Sequence, residues 1–268
     1  MITIGSLVPY LAGALVLGGI AVLLSRQREL IKRWCAWVVG VPIITAAFWL
    51  GRPGAAAVAA VAALIAAVEY ARLARLTRAD RVVLAAALVG LILTAWLAPA
   101  RLPQVAAGAA LAIAAVPLLA GDAADGGRRL ASGVLGLAWL APLALLVPLG
   151  ATALAMFMAV SVADITAAQV GPRLRGPHLS PLSPGKRWSG TLVGSVAGVG
   201  VLALLGIATV PMVLAVAVGG PAGDLLESMI KRGADVKDTG RWLPGSGGIL
   251  DRVDSLLIAL AVVFACSW

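Results

Sequence analysis

The sequence predicts an all-α, polytopic integral membrane protein. Of its 268 residues, 61% are hydrophobic and only 12% carry a charged side chain, and the mean hydropathy is +1.02. The apolar residues form continuous runs of helix length rather than the alternating pattern of a strand, which argues against a transmembrane barrel. Such a composition is typical of a chain that places most of its surface in lipid, so we expect a bundle of membrane-spanning helices.

Ten apolar segments can be marked along the chain, and some are shorter than the roughly 20 residues that a full span requires. Because the region 131–169 can be divided in more than one way, we expect nine or ten transmembrane helices. No internal repeat is evident, so an inverted-repeat transporter gains no support. The segments are 4–24, 35–51, 54–74, 82–98, 104–120, 131–148, 150–169, 189–206, 208–230 and 252–267.

The distribution of Lys and Arg predicts the orientation. With the N-terminus outside and the segments alternating, 19 of the 21 basic residues fall on the inner side, and only Arg52 and Arg101 fall outside. Cytoplasmic loops carry this excess of positive charge, so the polar stretches 170–188 and 231–251 are expected to face the cytoplasm from the inner (plasma) membrane. The net charge of +9 is then explained by topology and by contacts with anionic lipids, and no nucleic-acid partner is predicted.

Charge is concentrated in the segment 228–254. Ionisable groups beside a bilayer are costly unless they are paired or wetted, so such a cluster indicates a functional site. Aspartate can hold a hard divalent cation, whereas Lys and Arg can hold phosphate oxygens, and this mixture suits chemistry on a nucleotide beside a membrane. The charged residues are Lys231, Arg232, Asp235, Lys237, Asp238, Arg241, Asp251, Arg252 and Asp254.

The apolar segment 208–230 turns acidic on one face near its inner end. Asp224, Glu227, Ser228 and Lys231 stand at i, i+3, i+4 and i+7, a spacing that places them on one side of a helix. An apolar helix that is acidic on one side over two turns must present that side to something polar. This face is therefore a candidate ligand site.

The start of the last segment repeats the pattern with Asp251, Asp254 and Ser255. Acids in a first helical turn also complement the helix dipole, and that alternative explains Asp251 and Asp254 without a ligand. Ahead of them, Gly247 and Gly248 allow the backbone to approach a ligand closely, although a plain turn would explain them equally well. Together the two acidic faces and the glycines favour a cradle for phosphates.

The roles of four ionisable residues outside this region can also be predicted. Lys186 follows a Ser-Pro-Gly turn just before a predicted helix, where an anion can bind the free amides, although the spacing is not that of a P-loop. Asp164 has no neighbour able to neutralise it and is expected to line a polar cavity. Glu69 is expected to be wetted at the interface or paired with Arg72 rather than to serve a substrate site. Asp122 is expected to be a solvated turn residue.

The C-terminal segment closely resembles the phosphatidate cytidylyltransferases, also called CDP-diacylglycerol synthases. Their signature reads Ser-x-x-Lys-Arg, four residues, Lys-Asp, and then Leu-Pro-x-His-Gly-Gly-x-x-Asp-Arg-x-Asp. The Ser-Pro-Gly-Lys stretch at 183–186, Asp164 and the helical pair Glu69-Tyr70 also resemble family features. The residues that match the signature are Ser228, Lys231, Arg232, Lys237, Asp238, Leu243, Pro244, Gly247, Gly248, Asp251, Arg252 and Asp254.

The resemblance implies a step of phospholipid biosynthesis, in which CTP and phosphatidate give CDP-diacylglycerol and pyrophosphate. It implies Mg²⁺ as cofactor, with or without a second cation such as K⁺, and a homodimer. Residues 1–130 would then be a membrane scaffold with lipid and dimer contacts, and residues 131–268 would be the catalytic region.

Three sets of site residues follow from the residue chemistry and the resemblance together. The expected catalytic residues are Asp224, Lys237, Asp238, Asp251, Arg252 and Asp254. The expected substrate-binding residues are Ser183, Lys186, Ser228, Lys231, Arg232, Arg241, Gly247 and Gly248. The expected metal ligands are Asp224, Asp251, Asp164 and Glu227.

The chain departs from the family pattern at four positions. Ser246 stands where the signature has His, Arg187 and Ser189 replace the usual Thr and Glu, and Gln169 stands where an aromatic residue is common. These departures leave open a cytidylyltransferase acting on another lipid phosphate, or a non-catalytic homologue that binds lipid and nucleotide. A transporter is disfavoured, because the charges gather at one face of the membrane rather than along several spans.

Overall fold

The computed structural model describes residues 2–25, 28–240 and 247–266. These residues form α-helices, short 3₁₀ and π turns and a single antiparallel strand pair, β1 (His178–Ser180) with β2 (Ser183–Arg187). The all-α prediction is confirmed, although the strand pair was not predicted. In chain order the helices are α1 (Ile4–Ser25), α2 (Arg28–Trp49), α3 (Arg52–Leu73), α4 (Arg78–Leu97), α5 (Leu102–Leu119), α6 (Gly126–Leu140), α7 (Leu146–Leu149), α8 (Ala151–Leu174), α9 (Trp188–Leu204), α10 (Val210–Leu214), α11 (Gly220–Gly233) and α12 (Leu250–Ala265).

The helices are those of a multi-pass membrane protein. Within the described residues, eight helical stretches are long and apolar enough to cross a membrane. Two further helices are shorter, α9 with 17 residues and α12 with 16. Each of the ten predicted apolar segments coincides with a helix, and the ambiguous region 131–169 divides at Gly150, which has a φ of 51°. A positive φ is readily adopted by glycine, so this break in the helix needs no other cause.

The chain folds as two compact units. The first comprises Met1–Gly13, Ala151–Lys237 and Arg252–Trp268, and the second comprises Ala14–Gly150 and Asp238–Asp251. Both units are discontinuous in sequence. The functional division predicted between residues 130 and 131 stays a prediction.

In the first unit, α8 and α9 are in backbone contact along a line of glycines, which we call the glycine seam: Gly190, Gly194 and Gly198. A Cβ built on Gly190 would lie 2.6 Å from the carbonyl oxygen of Ala167, and one on Gly198 would lie 2.8 Å from that of Ala159. Real Cβ atoms do not come so close to backbone atoms. The four-residue spacing is the small-residue pattern that lets membrane helices pack closely.

A second close approach brings α11 against α12. The helical stretch before α11 contains a π turn, Ala215–Gly219, and a Cβ on Gly219 would lie 2.9 Å from the Cα of Ala259. One turn further on, a Cβ on Gly223 would lie 2.9 Å from the Cα of Ser255. These two glycines therefore bring the acidic part of α11 beside the first turns of α12.

The second unit contains a buried charge network at the starts of α4 and α6. Arg129 donates through Nε to Asp80 Oδ2 at 2.8 Å, through Nη2 to Asp80 Oδ1 at 2.9 Å, and through Nη1 to Asp122 Oδ2 at 2.7 Å. Asp80 and Arg129 are each only 6% exposed. Asp122 lies in the loop before α6, as expected, and the bond from Arg129, which was not predicted, lowers the pKa of this carboxylate below the usual range. The network ties the loop before α6 to α4.

Replacing Arg129 by methionine is expected to lower the free energy of unfolding by about 3–5 kcal/mol, because Asp80 would remain buried without its cation. The measurement is thermal or denaturant unfolding of the purified protein in detergent. The neighbouring variant Arg128→Met is the matched control, because Arg128 pairs with Asp125 at the surface, where the side chains are 44% and 61% exposed. Exposed pairs contribute about 0–1 kcal/mol, so equal losses in the two variants would contradict the expectation.

Candidate active site

Three carboxylates converge in the first unit, and we call them the carboxylate group: Asp224, Glu227 and Asp254. One ligand oxygen from each lies within 4.8 Å of the other two. Asp224 and Glu227 stand one turn apart on α11, and Asp254 belongs to the start of α12. Glu227 is 1% exposed and Asp254 is 6% exposed, so two of the three acids lie inside the protein. Their meeting depends on the close approach at Gly223.

Two lysines contact the carboxylate group. Lys186 of β2 forms an ion pair with Asp224, and Lys231 of α11 donates to Glu227 Oε2 at 2.5 Å. Burial opposes the charge on Lys186, but the neighbouring carboxylates of Asp224 and Asp164 outweigh it and raise the pKa of this lysine. Lys186 therefore stays protonated through neutral pH. The β1–β2 hairpin places the ammonium group of Lys186 beside Asp224.

The arrangement suits a metal ion together with a polyphosphate. Carboxylate oxygens are the ligands that hard divalent cations prefer, and three of them converge here. Without a metal ion, the positive charges of Lys186 and Lys231 offset part of the negative charge of the carboxylate group. The same ammonium groups can donate to phosphate oxygens, so the donor set fits a divalent cation bound beside a phosphate chain.

Asp251 organises the glycine-containing loop of the second unit. Its Oδ2 accepts hydrogen bonds from the backbone N–H of Thr239 at 3.0 Å, the hydroxyl of Thr239 at 2.8 Å and the N–H of Gly248 at 2.7 Å. Gly247 has a φ of 79°, and a Cβ there would lie 2.6 Å from the same oxygen. These three bonds give Asp251 a structural role in the loop, and its role as a metal ligand stays a prediction.

Glu69 joins this loop from α3. It is fully buried, at 0% exposure, and accepts hydrogen bonds from the N–H groups of Ile249 at 3.1 Å and Leu250 at 2.8 Å. The Thr239 hydroxyl, whose single hydrogen has its shorter contact with Asp251, lies 3.2 Å from Glu69 Oε2. The expectation of a wetted side chain or a pair with Arg72 is wrong. The sequence did carry one signal, since Gly247, Gly248 and Ile249, which directly precede α12, have no side chain able to cap it.

The remaining predicted residues fall into three groups. Lys237, Asp238 and Arg232 are exposed. Asp164, Ser183, Ser228 and Arg252 are partly buried. Arg241 lies outside the described residues, as does Ser246, the departure from the signature, together with the Leu-Pro pair that matches it.

Comparison with known proteins gives one family and a set of named relatives. Residues 31–268 match the family model described as "Cytidylyltransferase family". A phosphatidate cytidylyltransferase of Brucella abortus biovar 1 is 41% identical over 127 residues, which cover 44% of this chain and 47% of the relative. One from Pseudomonas aeruginosa is 38% identical over 132 residues, covering 43% and 46%. The chloroplastic phosphatidate cytidylyltransferase 4 of Arabidopsis thaliana is 40% identical over 118 residues, covering 41% and 30%. The matches thus span about half the length of the bacterial relatives, and less of the plant protein.

Proposed function

Because this chain belongs to the cytidylyltransferase family, we propose that it transfers the cytidylyl group of CTP to phosphatidate, giving CDP-diacylglycerol and pyrophosphate. The family expected from the signature residues is confirmed by the match over residues 31–268. The substrates come from the names of the relatives, each of which is called a phosphatidate cytidylyltransferase. The observation that carries the proposal in this chain is the convergence of Asp224, Glu227 and Asp254 beside Lys186 and Lys231.

In the proposed reaction, a phosphate oxygen of phosphatidate forms a bond to the α-phosphorus of CTP while the bond from that phosphorus to the bridging oxygen breaks. The bridging oxygen leaves with its electron pair as part of pyrophosphate. Little covalent chemistry is left for the protein, so positioning and electrostatic stabilisation carry the catalysis. Neither substrate needs a covalent link to the enzyme.

Acidic and basic residues have different roles in the proposed reaction. Asp224, Glu227 and Asp254 would hold Mg²⁺, with Asp164 as a further candidate ligand. Mg²⁺ bound there would neutralise charge on the phosphates. The role of Asp251 as a catalytic residue and metal ligand stays a prediction. Lys186 donates to phosphate oxygens from the hairpin, and its raised pKa keeps the ammonium charged. Lys231 does the same from α11, and the exposed Lys237 and Arg232 favour the approach of an anionic nucleotide.

The location of the site fits a lipid substrate. Two members of the carboxylate group, Asp224 and Glu227, lie in the second half of the helical stretch Val210–Gly233, whose first half is apolar. A lipid phosphate at the membrane surface would reach that level while its acyl chains stay in the bilayer. The excess of Lys and Arg favours the cytoplasmic side, where CTP is available. The second cation and the homodimer implied by the resemblance remain predictions.

The proposal is tested by incubating the purified protein with α-labelled CTP, phosphatidate and Mg²⁺ and identifying the products. We expect CDP-diacylglycerol and pyrophosphate in equal amounts, no product after Mg²⁺ is chelated, and thermal stabilisation by CTP but not by ATP or GTP. A panel of other lipid phosphates, including isoprenoid types, tests the alternative substrates. CTP binding without turnover on any of these lipids would contradict an enzymatic role and favour a binding homologue.

A further inference from the structure

We infer that Glu69 of α3 is a positioning residue that fixes the described loop residues 239–240 and 247–250 by capping the start of α12. Its two carboxylate oxygens accept from the backbone at the start of α12, Oε1 from Ile249 just before the helix and Oε2 from Leu250, the first helical residue. The first N–H groups of a helix have no partner within the helix, and a negative charge there is favourable. Glu69, about 180 positions earlier in the chain, supplies the cap that the adjacent residues lack.

The loop is shaped around this carboxylate. A Cβ built on Gly240 would lie 2.9 Å from Glu69 Cδ and 3.2 Å from the Cα of Gly248. A Cβ on Gly248 would overlap both Glu69 oxygens. Gly240 and Gly248 thus leave room for the Glu69 carboxylate, and a side chain at either position would occupy that room. Such a fit indicates that the loop conformation and Glu69 depend on each other.

The same cluster connects Glu69 to Asp251. The Thr239 hydroxyl lies 3.2 Å from Glu69 Oε2 and 2.8 Å from Asp251 Oδ2, and Leu250 directly precedes Asp251 in the chain. Any shift of the loop away from Glu69 therefore moves the backbone that carries Asp251. A misplacement of about 1 Å at a reacting site can reduce turnover on the order of a hundredfold. Glu69 thus acts through Asp251 and the loop and does not touch substrate itself. The kinetic part of this inference rests on the proposed function.

The sharpest test is Glu69→Gln, which keeps the size of the side chain and removes the negative charge and one acceptor oxygen. We expect kcat for cytidylyl transfer to fall about 10–100-fold, the range seen when residues that orient metal ligands are changed. The KM for CTP should change much less. Glu69→Asp keeps the charge but is one methylene shorter, so it should also lower kcat.

The matched control is Tyr70→Phe, at the next position of α3. Tyr70 is 1% exposed and donates its hydroxyl hydrogen to the carbonyl oxygen of Ser132 at 2.6 Å, so its loss removes a buried hydrogen bond between α3 and α6. We expect Tyr70→Phe to lower Tm while kcat stays within about twofold of wild type. A purely structural role for Glu69 would give the same pattern, and that result would overturn the inference.

Hydrogen exchange provides a readout that does not need activity. In Glu69→Gln, peptides covering residues 247–256 should exchange faster than in wild type, while peptides from α8 and α9 should not change. Unchanged exchange at Ile249 and Leu250 would overturn the inference even if activity fell. If wild type proves inactive on lipid phosphates, the proposed function fails, and the exchange comparison still decides whether Glu69 holds the loop.

Discussion

Asp254→Asn is expected to reduce the rate of cytidylyl transfer about 10²–10³-fold, with little change in Tm. Removing one preorganised electrostatic group from an active site typically costs this much in turnover. Asp254 is the member of the carboxylate group supplied by α12, and at 6% exposure it cannot be replaced by a carboxylate from the surface. The substitution changes the charge and leaves the size of the side chain almost unaltered.

The measurement is kcat at saturating CTP and phosphatidate over a range of Mg²⁺ concentrations. If Asp254 helps to hold the cation, the variant should need more Mg²⁺ for half-maximal rate as well as turning over more slowly. Asp235→Asn is the matched control, because Asp235 is exposed and has a φ of 55°, a conformation that Asn adopts readily. Wild-type turnover in Asp254→Asn, or an equal loss in Asp235→Asn, would remove Asp254 from the proposed site.

Gly194→Leu is expected to abolish the folded protein. A Cβ at this position would overlap the carbonyl oxygen of Ala163 and lie 2.9 Å from the Cβ of Ala167. Over-packing a core usually costs about 1–3 kcal/mol because side chains can shift aside. Here the obstacle is backbone, so α8 and α9 would have to separate, and the cost should be well above that range.

The outcome can be read from size-exclusion chromatography in detergent and from the thermal transition of whatever protein is recovered. Gly200→Leu, on the same helix, is the control, since a Cβ on Gly200 meets nothing within 4 Å. That variant should give a symmetric peak and a Tm close to wild type. Recovery of a stable, symmetric Gly194→Leu protein would show that the seam is not needed for folding.

The helical fold was predictable because lipid leaves few alternatives. Backbone groups in a bilayer must be satisfied within the protein, so apolar runs of about 20 residues form helices. The face shared by Asp224 and Glu227 was also predictable, since it depends only on a three-residue spacing. The approach of Asp254 was not, because it depends on Gly219 and Gly223, whose contact with α12 has no periodic signature.

Two further features could not be predicted from the sequence, for a related reason. The ion pair between Lys186 and Asp224 depends on the hairpin of β1 and β2, a short element in a Pro-rich stretch that was expected to be a loop. The partners of Glu69 are mostly backbone amides nearly two hundred positions away, and backbone groups are the same in every sequence. Side-chain pairing rules therefore pointed to Arg72.

If the proposed function holds, the glycine seam also constrains how the lipid substrate can reach the site. From Gly190 to Gly198 the backbones of α8 and α9 are in contact. No space is left there for an acyl chain to pass between the two helices. A lipid whose phosphate is to meet Lys186 must enter past some other helix. The hairpin of β1 and β2 joins α8 to α9, so Lys186 is carried by the connection between two helices whose backbones are in direct contact.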